Sequence, residues 1–95
     1  GWTLTGGLSG GRPALFVTGS VESPYAELVL FEYSEAGSGV WNSAGTETRS
    51  VTSKVITTGL IAATDYNVRI RYRFGQLTSE GLILGPETTG DPEAP

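Results

Sequence analysis

The segment DYNVRIRYRF at residues 65–74 puts Tyr66, Val68, Ile70, Tyr72 and Phe74 in one phase and Asn67, Arg69, Arg71 and Arg73 in the other. Successive side chains of a β-strand point to opposite faces, so this segment reads as a ribbon with one apolar face and one guanidinium face. A slip of one residue would bury three arginines and expose the aromatics. Burying an unpaired charge is costly, so the register is strongly specified. Any fold for this chain must cover one side of the ribbon and leave the other wet.

The rest of the chain has the same period. Residues 14–21, 26–34, 39–45, 50–58 and 80–89 are rich in β-branched and aromatic side chains, and glycine, proline and serine clusters separate them. With a short first strand around Trp2 to Leu4, the count is about seven strands at the ~8–12 residue spacing of an antiparallel sandwich. No window carries apolar residues at i, i+3, i+4 and i+7, and 14 glycines weaken any helix. The expected fold is all-β, a seven-stranded antiparallel Greek-key sandwich. The glycine-rich run TGGLSGG is expected to be a flexible approach to the first core strand; it lacks the Lys-Ser/Thr and the helix of a phosphate loop.

Ninety-five residues suffice for one core, and a chain of this size buries about 60–70% of the surface it exposes when unfolded. Nine aromatics (two Trp, four Tyr, three Phe) and 38% hydrophobic residues exceed what disorder allows. The apolar runs are too short for a membrane span, so no membrane insertion is expected. The net charge of −4 gives no general attraction to phosphate backbones, and no nucleic-acid partner is expected. The opening Gly1-Trp2 and the proline-containing TTGDPEAP at the end suggest a piece of a longer polypeptide, with a sandwich over 1–90 and a linker to the next module over 91–95.

The stretch GLIAATDYNVRIRYR resembles the E–F corner of fibronectin type III domains, where a leucine, a short turn, a threonine and a tyrosine precede an alternating strand. Leu60, Thr64 and Tyr66 are the matching positions. The resemblance implies a tyrosine corner: the Tyr66 hydroxyl bonds to backbone a few residues upstream while its ring joins the core, and Leu60 plugs the end of the sandwich. It also takes in LVLFEYS as the third strand, with Val29, Phe31 and Tyr33 inward. The family's second-strand tryptophan is absent, with Phe16 or Val17 there instead, and Trp2 or Trp41 is expected to fill the missing volume. Ala62-Ala63 stands where the family has a proline.

The longer run from Glu32 to the TTG exit looks like fibronectin-like modules of bacteriophage tail-tip and host-specificity proteins. That likeness implies a structural spacer or adhesive module located in a virion tail or outside the cell. Accessory modules of secreted bacterial polysaccharide-degrading enzymes are similar too.

Catalysis has little to draw on. With no histidine and no cysteine, the usual general base, the Ser-His-Asp arrangement and thiolate chemistry are missing. No cofactor or metal site is expected. Glu32 and Glu35 are the one carboxylate pair a glycosidase reading could use, and solvated acids at a strand end are the simpler account. Asp65 is expected to bond local backbone in the turn.

The arginine row is the sharper feature. Arg69, Arg71 and Arg73 are expected on the outer face beside Leu28, Leu30 and Glu32. There they either pair with Glu32 and cover the leucines with their stems, or, with nearby Trp41, form a partly apolar, basic surface for an adjacent module or a host cell-surface glycan or protein. In the second case Arg69→Glu with Arg71→Glu removes binding and leaves thermal unfolding little changed. Pro13, Pro24 and Pro86 are expected to protect sheet edges, consistent with a monomeric isolated domain. Trp41 and Tyr25 are the aromatics available for a sugar platform.

Overall fold

The computed structural model describes residues 1–94; Pro95, the last residue of the expected linker, lies outside the described residues. Eight strands follow in order: β1 (Trp2–Ser9), β2 (Arg12–Gly19), β3 (Leu28–Glu35), β4 (Asn42–Thr48), β5 (Ser53–Ile56), β6 (Asp65–Phe74), β7 (Leu77–Thr78) and β8 (Leu82–Thr88). They form two antiparallel sheets, a three-stranded one ordered β1-β2-β5 and a five-stranded one in which β4-β3-β6 is continued by β7 and by β8, each paired with β6. The extra strand is β7, two residues paired with the end of β6 in the segment GQLTS, which is expected to be a break between the strands at 65–74 and 80–89.

Between the sheets lies a core of Trp2, Leu4, Leu15, Val17, Val29, Phe31, Ile56, Tyr66, Val68 and Ile70. The apolar phase of the 65–74 ribbon faces this core: Tyr66, Val68 and Ile70 are buried and Tyr72 packs against the cluster. Val29 and Phe31 of β3 are buried beside them, with Tyr33 packed against the cluster. Trp2 fills the volume left by the missing second-strand tryptophan. It is 7% exposed, meets the Phe31 ring edge-on at 5.7 Å, and its indole Nε1 donates to the Tyr72 hydroxyl at 2.9 Å. A buried indole N–H needs such a partner.

The start of the chain departs most from expectation. Instead of a short strand and a flexible approach, β1 runs for eight residues and pairs with β2 from Trp2↔Gly19 to Ser9↔Arg12. Gly10 and Gly11, at φ 58° and 76°, form the two-residue turn. Positive φ at both positions is what a tight hairpin matched to strand twist requires, and glycine adopts it without strain. Gly6 and Gly7 are strand residues for another reason: at Gly6 the main chain of Thr88 sits where a Cβ would be, and the Gly90 N–H donates to the Gly7 carbonyl at 2.9 Å.

β4 is displaced by about one turn of sequence from the expected 39–45, because Ala44-Gly45-Thr46 is not a break. Gly45, at φ 110°, lies opposite the β-bulge between Phe31 and Glu32 and lets the strand continue through it. Edge protection is likewise partial. Pro13 lies beyond the last β2–β5 pair, so its missing N–H removes no bond to β5. Pro24 lies in the loop before β3, where its carbonyl accepts from Arg49. Pro86 sits in the irregularity that interrupts the β6–β8 ladder and leaves the edge of Leu82–Leu84 unprotected.

Ala63 carries a φ of 51° in the turn before β6. A left-handed conformation costs an L-residue about 1–2 kcal/mol, and part of that is recovered by glycine despite its greater unfolded-state freedom. Ala63→Gly is therefore expected to raise the melting temperature by a few degrees, about 0.5–1 kcal/mol, in a thermal melt followed by circular dichroism.

Candidate interaction surface on the outer face of the larger sheet

The sequence places the arginines through strand alternation, and the β3–β6 register brings their partners: Glu32↔Arg69, Leu30↔Arg71 and Leu28↔Arg73. All six project from the outer face. Leu28 and Leu30 are half-buried there, consistent with cover by the arginine stems.

Each guanidinium is already engaged. Arg69 Nε donates to Glu32 Oε1 at 2.8 Å, and its guanidinium carbon stands 4.5 Å from the centre of the Trp41 ring. Arg71 Nε donates to the Ser79 carbonyl at 2.9 Å, and its Nη1 lies 3.8 Å from the same Glu32 oxygen. Arg73 Nε donates to the Gly75 carbonyl at 2.9 Å. One carboxylate thus serves two guanidiniums, with side chains 18–29% exposed, so this pairing is less screened than a free surface ion pair. The stacked Trp41 adds a cation–π contact of about 0.5–1 kcal/mol at a site of this exposure.

Charge reversal at Arg69 and Arg71 is consequently not neutral toward folding, contrary to the simple surface reading, because it would set two further carboxylates beside Glu32. Neutral replacements at Arg71 and Arg73 probe binding more cleanly.

Beside the row the outer face has an exposed apolar side chain, Ile83, in register with Arg69 and 58% exposed. Tyr25, 80% exposed, precedes β3, while Trp41 precedes β4 at the other end of that strand. The two aromatics do not share a platform for a sugar ring.

The carboxylates hold no catalytic geometry. Glu32 and Glu35 are three residues apart on one strand and so project to opposite faces. Asp65 bonds the Thr88 hydroxyl across the β6–β8 ladder instead of local backbone. The hydrogen bond and charge of the Gly1 amino group hold the Glu22 carboxyl below its ordinary value. Among the described residues, no three acidic side chains gather where they could hold a metal ion.

The E–F corner is ordered by two side chains, one expected and one missed. The Tyr66 hydroxyl accepts from the Ile61 N–H at 2.9 Å, and Leu60 packs against the core. Thr64 Oγ1 donates to the Ala62 carbonyl at 2.9 Å. The missed one is Thr89, 3% exposed: its hydroxyl donates to the Ile61 carbonyl at 2.6 Å and accepts from the Thr64 N–H at 3.1 Å. In sequence it is one of two adjacent threonines at a strand exit, with nothing to mark which is buried.

No protein-family model and no curated protein matches this sequence. Among solved structures, "domains A168-A170 from titin" superpose with a TM-score of 0.65 and 18% identity, over 94% of this chain and 32% of that one. The twitchin kinase region from C. elegans (Fn31-NL-kin-CRD-Ig26) gives a TM-score of 0.68 and 21% identity, over 99% of this chain and 17% of that one. The fold is an immunoglobulin-like, fibronectin type III-like sandwich. This chain spans about a third of the titin chain and about a sixth of the twitchin chain, and the kinase of the latter lies outside the matched region.

Proposed function

We propose that this chain is a non-catalytic fibronectin type III-like module of a longer polypeptide, acting as a structural spacer or adhesion domain in a phage or prophage tail protein. The observation that carries it is the placement of the two ends. Gly1 lies beside Ile70, Tyr72 and Leu82 at the start of β1, whereas Gly90 is bonded to Gly7 near the end of that strand. The body between them is elongated, 46 × 25 × 19 Å. A bead entered at one end and left at the other sets the distance between its neighbours, and the Thr89 and Gly90 bonds fix the direction of exit. The partners on this reading are adjacent modules of the same polypeptide, with Asp91–Pro95 as connector. The virion tail, or the cell exterior, is the matching location, supported by the likeness of the run from Glu32 onward to tail-tip modules.

A second reading, favoured by the exposed Ile83 beside the Arg69–Trp41 stack, makes the outer face an acidic-glycan surface of an accessory module from a polysaccharide-degrading enzyme. Affinity electrophoresis in gels containing polyuronate separates the two. The spacer reading expects the wild-type domain and the Arg71→Gln, Arg73→Gln double variant to migrate without retardation in either gel. Retardation of the wild type that disappears in the double variant would replace it with the glycan reading. Flanking coding sequence is a second discriminator, since a neighbouring hydrolase domain contradicts the tail assignment.

A further inference from the structure

The outer edge of β8 combines two features that the spacer reading leaves unused. β8 pairs with β6 alone, and over Leu82–Leu84 no other strand of the described residues covers its second edge. Leu82 and Ile83 are 48% and 58% exposed, one in register with the inward Ile70 and the other with the outward Arg69. An edge strand apolar on both faces is a template for another strand. Further along the strand the edge is closed, because Thr88 lies against Gly6 and Gly90 bonds Gly7. The open length is therefore short.

Directly beside this edge the two sheets part. A cleft of about 370 Å³ opens there, lined by Trp2, Ile70, Tyr72 and Leu82, with Glu22 at its rim. Its wall includes Ser79 and Gly81, where the chain passes from β7 to β8. Ser79 turns back onto Tyr72, its N–H donating to the Tyr72 carbonyl at 2.8 Å and its hydroxyl accepting from the Tyr72 N–H at 2.9 Å. Gly81 then presses its main chain against β6, where a Cβ would stand 2.7 Å from Arg71 Cγ and the Ile70 carbonyl. The volume is within the ~300–1,000 Å³ range of small binding sites, and its walls are apolar.

The charge that the chain itself brings to this edge from β7 onward is acidic. From Phe74 to the end of the chain there is no basic residue, while Glu80 immediately precedes β8 and Glu87 lies within it. Glu22, at the cleft rim, is 73% exposed and bonded to the Gly1 amino group. The two arginines beside the edge are already engaged, Arg69 with Glu32 and Trp41 and Arg71 with the Ser79 carbonyl. Opposite charge at the ends of an incoming strand is therefore favoured, and a second copy of this acidic chain is disfavoured.

We propose that the Leu82–Leu84 edge and the adjoining cleft bind an extended peptide strand that pairs with β8, lowers an apolar side chain between Trp2 and Tyr72, and carries basic residues at its ends.

The probe is the end-capped hexapeptide Lys-Val-Thr-Leu-Thr-Lys, titrated to millimolar concentration into the domain. Amide resonances of Leu82, Ile83 and Leu84 are expected to shift and their hydrogen exchange to slow, with the Trp2 indole N–H shifting as well. A peptide with glutamates in place of the lysines should bind at least about tenfold more weakly, and one with proline at the central threonine should not bind. Leu82→Lys is expected to abolish the shifts; should that variant fail to fold, Ile83→Lys, whose side chain faces solvent, replaces it with the same expectation. Absence of shifts at Leu82–Leu84, equal binding of the glutamate peptide, or undiminished binding by a folded edge variant would each overturn the proposal. Concentration-dependent self-association in sedimentation that Ile83→Lys removes would also overturn it, assigning the edge to a second copy.

Discussion

Gly6→Ala is expected to lower the melting temperature by roughly 8–20 °C, corresponding to a net loss of about 2–2.5 kcal/mol at ~4–8 °C per kcal/mol for a domain of this size. Gly6 shares the inward phase of Trp2 and Leu4, but the space in front of it is taken by the Thr88 main chain, and an added methyl would fall well inside van der Waals contact of the Thr88 carbonyl. A side chain can rotate away from an intruding atom, whereas this carbonyl is held by the Asp65↔Thr88 pairing and by the Thr89 and Gly90 bonds that follow it. Relief requires the two sheets to separate along the β1–β8 seam. Overpacking of this kind costs ~1–3 kcal/mol, and rigid backbone on the far side favours the upper end. Opposing it is a gain of about 0.5–1 kcal/mol from replacing a strand glycine by alanine. Gly7→Ala is the internal control: its methyl would meet the edge of the Phe16 ring at 3.1 Å, a group that can yield, so a change within about 1 kcal/mol is expected. Equal melting of the two variants would show that the seam is not closed as described.

The contrast between these neighbouring glycines shows what the sequence could not disclose. Strand period places Tyr66, Val68 and Ile70 inward and the arginines outward because burying a guanidinium is prohibitive, and that inequality is local to the ribbon. Register between sheets is not local. Whether TGGLSGG is a loose approach or a strand pressed on another backbone depends on Thr88, some eighty residues away. Glycine reads the same in either case. Gly81 was hidden for the same reason, since it lies against the main chain of β6, and the positive φ of Gly45 at the β3–β4 bulge is equally unmarked in the sequence.

The candidate surface was legible in part. Alternation and the expected β3 partner put Glu32 beside Arg69 and Arg71. The carbonyls of Ser79 and Gly75, which take up Arg71 and Arg73, come from turns whose backbone course no side-chain pattern specifies. A row with every guanidinium engaged attracts a ligand's carboxylates less effectively, because those bonds must break first, and this supports the proposed spacer reading over the acidic-glycan one.

The E–F corner offers the second large effect. Ile61 is tied at both ends of its peptide framework, its N–H to the Tyr66 hydroxyl and its carbonyl to the Thr89 hydroxyl, while its own side chain is 59% exposed. Tyr66→Phe keeps the ring in the core and its edge contact with Tyr33, and removes the acceptor, leaving a part-buried N–H without its partner. That omission costs about 1–3 kcal/mol, so a loss of about 2 kcal/mol, or roughly 8–16 °C in melting temperature, is expected. Thr89→Val deletes both the donor to Ile61 and the acceptor for Thr64 and should cost a similar amount, with the valine methyl filling the hydroxyl's place. Because the two bonds grip one residue, losing either frees Ile61 and weakens the other. The double variant should therefore fall short of the sum of the single losses by at least about 0.5 kcal/mol in urea unfolding. Strict additivity would mean that tyrosine and threonine hold the corner independently, and that Ile61 is not the joint between the core and the exit of the chain.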